Sequence, residues 1–187
     1  MGSVDRRILK TREAIKKAFF ELMAQKDFES ITVQLISERA NLNRGTFYLH
    51  YLDKFDLLDK CIEEQFTELL RVCASQGHEQ TQVPSFESLL STTAYFEEHF
   101  LFYSCMLNSK GMPSFRDRLH QFMVKGIREQ LNMDDINKGL NKEILVQFMA
   151  SAIAGIVEWW IHNKMPVPAS ELARELWALL ERNQIHK

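Results

Sequence analysis

The stretch ITVQLISERANLNRGTFYLHYLDK, residues 31–54, decides the fold. Thr32 is placed to cap a short helix, because its hydroxyl can accept a hydrogen bond from an amide of the first turn. Val33, Ile36 and Ala40 follow at helical spacing. Asn41, Leu42 and Asn43 then interrupt, and asparagine tolerates the left-handed conformation that ends a helix. A second short helix resumes at Arg44 and runs towards Tyr51, and Asp53 and Lys54 open the next. Two short helices joined by a turn of three or four residues make a helix-turn-helix. Val33, Ile36, Ala40, Leu42 and Phe47 fill the inside of the wedge, which leaves the outer face of the second helix to enter a major groove. Arg44, Thr46, Tyr48 and His50 fall on or near that outer face.

Outward from this stretch the pattern stays helical. Ile8, Ile15, Phe19, Leu22 and Met23 share one face of a helix expected over 6–25, with Arg6, Arg7, Lys10, Arg12, Lys16 and Lys17 around the rest. A long helix from Lys54 carries Leu58, Ile62, Phe66, Leu69 and Cys73 inward and ends near Gly77. A polar loop follows over 76–84, then helices over 85–98, 99–108, 115–132 and 142–164 and a last one from Ala169. A breaker-rich turn at 109–113, a polar connection at 134–141 and the Pro166 and Pro168 turn separate the last four. The expectation is an all-α chain of about nine helices: an N-terminal three-helix helix-turn-helix domain, residues 1–54, and a larger helical bundle, residues 55–187.

Composition agrees with a folded protein in water. The 187 residues are 45% hydrophobic and 26% charged, with a net charge of −2. That net value hides an asymmetry, since residues 1–60 hold 11 Lys and Arg against 9 Asp and Glu, and the remainder 12 against 16. The three cysteines, Cys61, Cys73 and Cys105, are widely spaced, odd in number and without a CxxC pair, which points to a reducing cytoplasm. No secretory signal opens the chain, and the apolar window 144–161 carries Gln147, Ser151 and Glu158, so it reads as a buried helix and not a membrane span.

The helix-turn-helix segment resembles the TetR/AcrR family of bacterial transcriptional regulators. The resemblance rests on Thr32 and Val33, on Ala40, Asn41 and Leu42, on the run Gly45-Thr46-Phe47-Tyr48-Leu49-His50-Tyr51, and on Lys54. Asn41 stands where the family usually has glycine, and Asn43 where serine is common; the close match covers about residues 6–60. It implies a homodimeric regulator, more a repressor than an activator, bound to a near-palindromic double-stranded operator with half-sites one helical turn apart. By resemblance Tyr48 and Lys54 contact phosphates. Thr32 and the amides beside it are expected on a phosphate, Gln34 and Arg44 on base edges, and Thr46 on a phosphate or a thymine methyl. Gly45 admits the backbone close to DNA, and His50 either joins this surface or packs the small domain.

The resemblance also implies an effector domain that binds a small molecule and builds the dimer from its last two helices. Phe96, Phe100, Phe102, Tyr103, Met106, Phe122, Met123 and Phe148 are the candidates for an apolar ligand pocket, with Tyr103 and Glu158 as polar contacts. Ala152, Gly155, Ile156, Trp159, Trp160, Trp177 and Leu180 are the candidates for the dimer interface, because a helix apolar all round must be covered all round. No cofactor, catalytic residue or metal is expected: HExxH, GxSxG, Walker A and dinucleotide fingerprints are missing, and Glu158 with His162 reads as an exposed helical pair. Two other readings stay open, a regulator sensing oxidants through its thiols and a helical module acting through a protein partner.

Overall fold

The computed structural model describes residues 6–74, 86–108, 113–134 and 137–182. The loop expected over 76–84 and the turn at 109–112 lie outside them. Among the described residues there are nine α-helices, one short 3-10 turn and no strand. The chain divides into two compact units, residues 1–67 and 68–187.

The first unit contains α1 (Arg6–Met23), the 3-10 turn (Phe28–Ser30), α2 (Val33–Arg39), α3 (Arg44–Tyr48) and the first part of α4 (Lys54–Ala74). Ile15, Phe19, Ile31, Ile36, Phe47 and Leu57 are fully or almost fully buried and form its core. Thr32 caps α2 by accepting from the Leu35 amide at 3.2 Å. Asn43 caps α3 through a 2.8 Å bond from the Gly45 amide. Between the two helices Asn41 takes φ 55°, and the Leu42 amide reaches back to the Ser37 carbonyl at 2.9 Å while Asn41 donates to Glu38. Those two bonds close α2 in the manner that glycine ordinarily permits, and asparagine is the next residue to accept it. Helix α3 is shorter than the 44–51 expected, because Leu49 already caps it and Tyr51 turns into the core.

Lys16 ties α1 to α4 inside this unit, since its ammonium donates to Glu13 and Glu64. Burial works against the charge there, but the two carboxylates outweigh it and hold the pKa above the ordinary lysine value.

The second unit contains the end of α4 together with α5 (Phe86–Glu98), α6 (Phe100–Asn108), α7 (Pro113–Gln130), α8 (Lys142–His162) and α9 (Ala169–Arg182). Helix α5 packs along α9 and α7 along α8, with α6 wedged against α7 and α8. Helix α8 is long and apolar enough to cross a membrane by length and composition. In the structure Val146, Met149, Ala150, Ala154, Val157, Trp160 and Ile161 face inward and are buried.

The turn from α8 to α9 is held by Trp160. Its indole N–H donates to the Val167 carbonyl at 2.8 Å, and its own carbonyl accepts from the Met165 amide at 2.7 Å. Lys164 and Met165 both adopt left-handed backbone, φ 58° and 55°. A left-handed side-chain-bearing residue costs roughly 1–2 kcal/mol. Replacing exposed Lys164 by glycine should therefore raise stability by about 0.5–1 kcal/mol after glycine's own entropy loss. Urea unfolding checks this, and a loss of stability would show that Lys164 is not strained.

Candidate nucleic-acid interface

Helix α3 presents Arg44, Gly45, Tyr48 and the capping Leu49 to solvent, while Phe47 on the opposite side is fully buried. The Phe47 and Tyr51 rings meet at 5.6 Å and fix the helix on the core. The outer face thus holds a cation, a backbone position with no side chain, and a phenol. The Arg44 guanidinium donates to the Tyr48 hydroxyl at 3.2 Å and lies over that ring, 5.8 Å from its centre. The two groups hold each other at the surface as a unit with free donors left over, the kind of group that meets a base edge or a phosphate.

The other expected contacts fall around this pair. Thr32 and Gln34 are exposed on α2, with the Gln34 amide donating to Glu38 at 2.9 Å. Thr46 is half-buried, and its amide closes the cap on Asn43. His50 is also half-buried; burial first, then the nearby Arg12 charge, lowers its pKa below the ordinary histidine value. The structure therefore puts a neutral imidazole beside the face at neutral pH.

Lys54 is engaged elsewhere. Its ammonium donates to the Phe28 carbonyl at 2.9 Å and the Glu29 carbonyl at 3.1 Å, and it lies 4.5 Å from the centre of the Phe28 ring. It clamps the 3-10 turn to the start of α4. Two of its three donors are taken by protein, which leaves one for a phosphate.

In the second unit the described helices form a cavity of about 360 Å³, open to solvent on one side. Leu70, Leu89, Phe122, Met123, Ile127, Ile153 and Leu180 line it, with Trp177 at one side and Lys125 and Glu129 among its polar residues. Three polar groups on its wall are already paired: Thr92 donates to the Ser88 carbonyl at 2.8 Å, Ser88 to the Cys73 carbonyl at 3.2 Å, and the Cys73 sulfur lies 3.3 Å from the Thr92 hydroxyl. Apart from Lys125 and Glu129, the wall is apolar in effect. Gly126 borders it with nothing within 4 Å of where a Cβ would stand.

Of the residues expected around a ligand, Phe122 and Met123 line this cavity. Phe96, Phe102, Tyr103 and Met106 do not; they are buried, and the rings pack on each other, Phe96 to Tyr103 at 4.6 Å and Phe102 to Tyr103 at 5.0 Å. Rings from α5, α6 and α7 pack on one another where these helices meet. Phe100 is half-buried outside the cavity lining, and Phe148 is 64% exposed on the far side of α8. Of the two polar contacts expected, Tyr103 is enclosed in that core, and Glu158 lies 3.8 Å from Arg116. Sequence reasoning missed Leu70, Leu89, Ile127 and Ile153, which sit on amphipathic faces like any core residue.

The outer face of α8 carries an apolar stripe: Ile144, Phe148, Ala152, Gly155 and Trp159, all exposed, with Ile156 half-buried beside them. Leu179 of α9 is exposed as well. Trp160, expected at an interface, is fully enclosed in its own unit, because one helical position turns it away from Trp159 into the core. Leu180 is buried against Val124, Leu131, Val146 and Met149, and half-buried Trp177 turns to the cavity and donates to Glu181.

Burial pushes the Cys61 thiol up to about 12 and the Cys105 thiol up to about 11, and raises Cys73 as well. All three are protonated at neutral pH, which is poor footing for an oxidant sensor. Among the described residues no three His, Cys, Asp or Glu side chains gather as a metal site.

Comparison with known proteins adds to this geometry. The profile of the family described as "Bacterial regulatory proteins, tetR family" matches residues 15–61, and that of a "Transcriptional regulator C-terminal region" matches residues 85–182. The chain is 24% identical over 180 residues to the uncharacterized HTH-type transcriptional regulator YxbF of Bacillus subtilis, covering 95% of this chain and 46% of that one. It thus spans about half the length of that relative. It is 26% identical over 149 residues to the HTH-type dhaKLM operon transcriptional activator DhaS of Lactococcus lactis, covering 78% and 76% of the two chains. Among solved structures, a TetR transcriptional regulator from Streptococcus agalactiae 2603V is 30% identical, with a TM-score of 0.62 over 94% of this chain and 96% of that one.

Proposed function

Because the chain belongs to the TetR family of bacterial transcriptional regulators, we propose that it works as a homodimeric repressor on a near-palindromic DNA operator and is released by a small, largely apolar effector. The observation that carries the DNA reading is the Arg44 and Tyr48 pair, exposed on α3 while Phe47 anchors the same helix. Arg44 and Gln34 read base edges; Thr32, Tyr48 and the remaining donor of Lys54 meet phosphates; Gly45 admits the sugar-phosphate edge. Thr46 and the neutral His50 support this surface from its half-buried margin.

The exposed apolar stripe on α8 supports the dimer, since an apolar strip of this length facing water fits a protein interface. The 360 Å³ cavity supports the effector, and the tied-off hydroxyls on its wall favour an apolar molecule. Repression is proposed because a dimer seated on DNA blocks access by occupancy alone; the relative DhaS is named an activator, and transcription from the operator decides the sign. The cytoplasm is the compartment proposed for a regulator with three free thiols.

The test is fluorescence anisotropy with duplexes taken from random-sequence selection on the full chain, across several salt concentrations. Wild type should bind saturably, resist competitor DNA and lose affinity steeply with salt. Arg44→Ala should weaken binding by roughly 1–3 kcal/mol and relax preference at one base pair of each half-site. Weak binding, equal for every sequence and for the variant, would remove the reading.

A further inference from the structure

Leu49 and Leu52 are the two most exposed large apolar side chains among the described residues, at 81% and 78%. An exposed leucine by itself says little, since folded surfaces carry many. Leu49 is informative through its position. It caps α3 in helical conformation, and its amide bonds to the Gly45 carbonyl at 3.2 Å. It therefore stands one turn beyond Gly45, on the outward side of α3 opposite the buried Phe47 and about 140° around the axis from Arg44. Leu52 lies past the helix, where its amide is tied to Asp56 at the start of α4.

A side chain on that face has few chemical partners. The floor of a major groove displays hydrogen-bond donors, acceptors and one apolar group, the C5-methyl of thymine. Leucine can neither donate nor accept, and a donor or acceptor buried beneath it would lose its water without replacement. The methyl is the one groove feature that gains from covering a leucine, and the leucine gains equally by leaving water. We propose that Leu49 is a specificity-determining residue that packs against the C5-methyl of one thymine in each half-site. This rests on the helix-turn-helix reading above and deepens it. It also assigns the thymine contact away from Thr46, which is half-buried at the inner edge of α3.

The experiment replaces each thymine of the selected operator by deoxyuridine, symmetrically in both half-sites, which deletes the methyl and leaves the hydrogen-bonding edge. Wild type, Leu49→Ala and Thr46→Ala are titrated by anisotropy at one salt concentration. At one thymine position wild type should lose about four-fold per half-site, or about fifteen-fold for the pair, the worth of one buried methyl at each. Thr46→Ala should keep that ratio, and Leu49→Ala should bind the thymine and uracil duplexes alike. A half-site without any methyl-sensitive position, or a ratio that survives in Leu49→Ala, would overturn the assignment. Loss of the ratio in Thr46→Ala alone would give the contact to Thr46. Failure to select any sequence is a different result, because it removes the helix-turn-helix reading and Leu49's role with it. Leu49 makes no core contact that its truncation would cost, so a folded variant is expected.

Discussion

Gly155→Glu is expected to turn the proposed dimer into a monomer with an intact fold and to weaken operator binding by 100-fold or more. Gly155 sits in the middle of the exposed stripe on α8, and nothing in its own chain lies within 4 Å of where a Cβ would stand. The single chain therefore has room for the new side chain. Removing an interior helical glycine should even steady α8 by roughly 0.5–1 kcal/mol. Across a dimer interface the balance reverses. Ile144, Phe148, Ala152 and Trp159 leave no charged partner along the stripe, and burying an unpaired carboxylate among them costs several kcal/mol. A monomer holds one half-site only and forfeits the effective-concentration gain of the second, typically 10²–10⁴. Sedimentation velocity reads the mass, circular dichroism the helix content and anisotropy the affinity. A variant that still sediments as a dimer would place the interface on another surface.

Trp160→Ala is expected to cost the second unit about 3–5 kcal/mol, a large share of the 5–15 kcal/mol that holds a domain together. The side chain is fully buried, so its removal leaves a ring-sized void. It also withdraws the N–H that pins the Val167 carbonyl, and with it the support of two consecutive left-handed residues, Lys164 and Met165. Trp160→Phe separates the two effects. It keeps most of the packing, loses the donor, and should cost about 1–3 kcal/mol. Trp159→Ala, on the exposed side of the same helix, should change the stability of the single chain far less. Urea unfolding with all three variants orders them. Equal losses for Trp159→Ala and Trp160→Ala would mean that the two indoles do not occupy opposite environments.

That contrast shows where sequence reasoning stops. The caps and the turn within residues 31–54 follow from their own sequence, because the hydrogen bonds that set them are local. Thr32 reaches three residues to Leu35, Asn43 two residues to Gly45, and the Leu42 amide five residues back to Ser37. Residue type at each of those places sets the backbone whatever packs around it, so the turn, both caps and the exposed face of α3 were legible in the letters. The family resemblance is legible for the same reason.

Position in the larger unit was not encoded so locally. Helix α8 is apolar on nearly every side, so its periodicity could not say which side meets α6 and α7 and which is left bare. Only the arrival of those helices sent Trp160 inward and left Trp159 and Phe148 in solvent. The rings of Phe96, Phe102 and Tyr103 could equally have lined this cavity; they pack on one another instead, and the cavity lies beside Gly126, Ser88 and Thr92. Lys54 shows the same in the small unit: its partners, the Phe28 and Glu29 carbonyls, lie 26 and 25 residues away, too far for spacing to reveal. Contacts within a turn or two of helix follow from the order of residues, whereas the choice among several apolar faces depends on which neighbours compete to cover them.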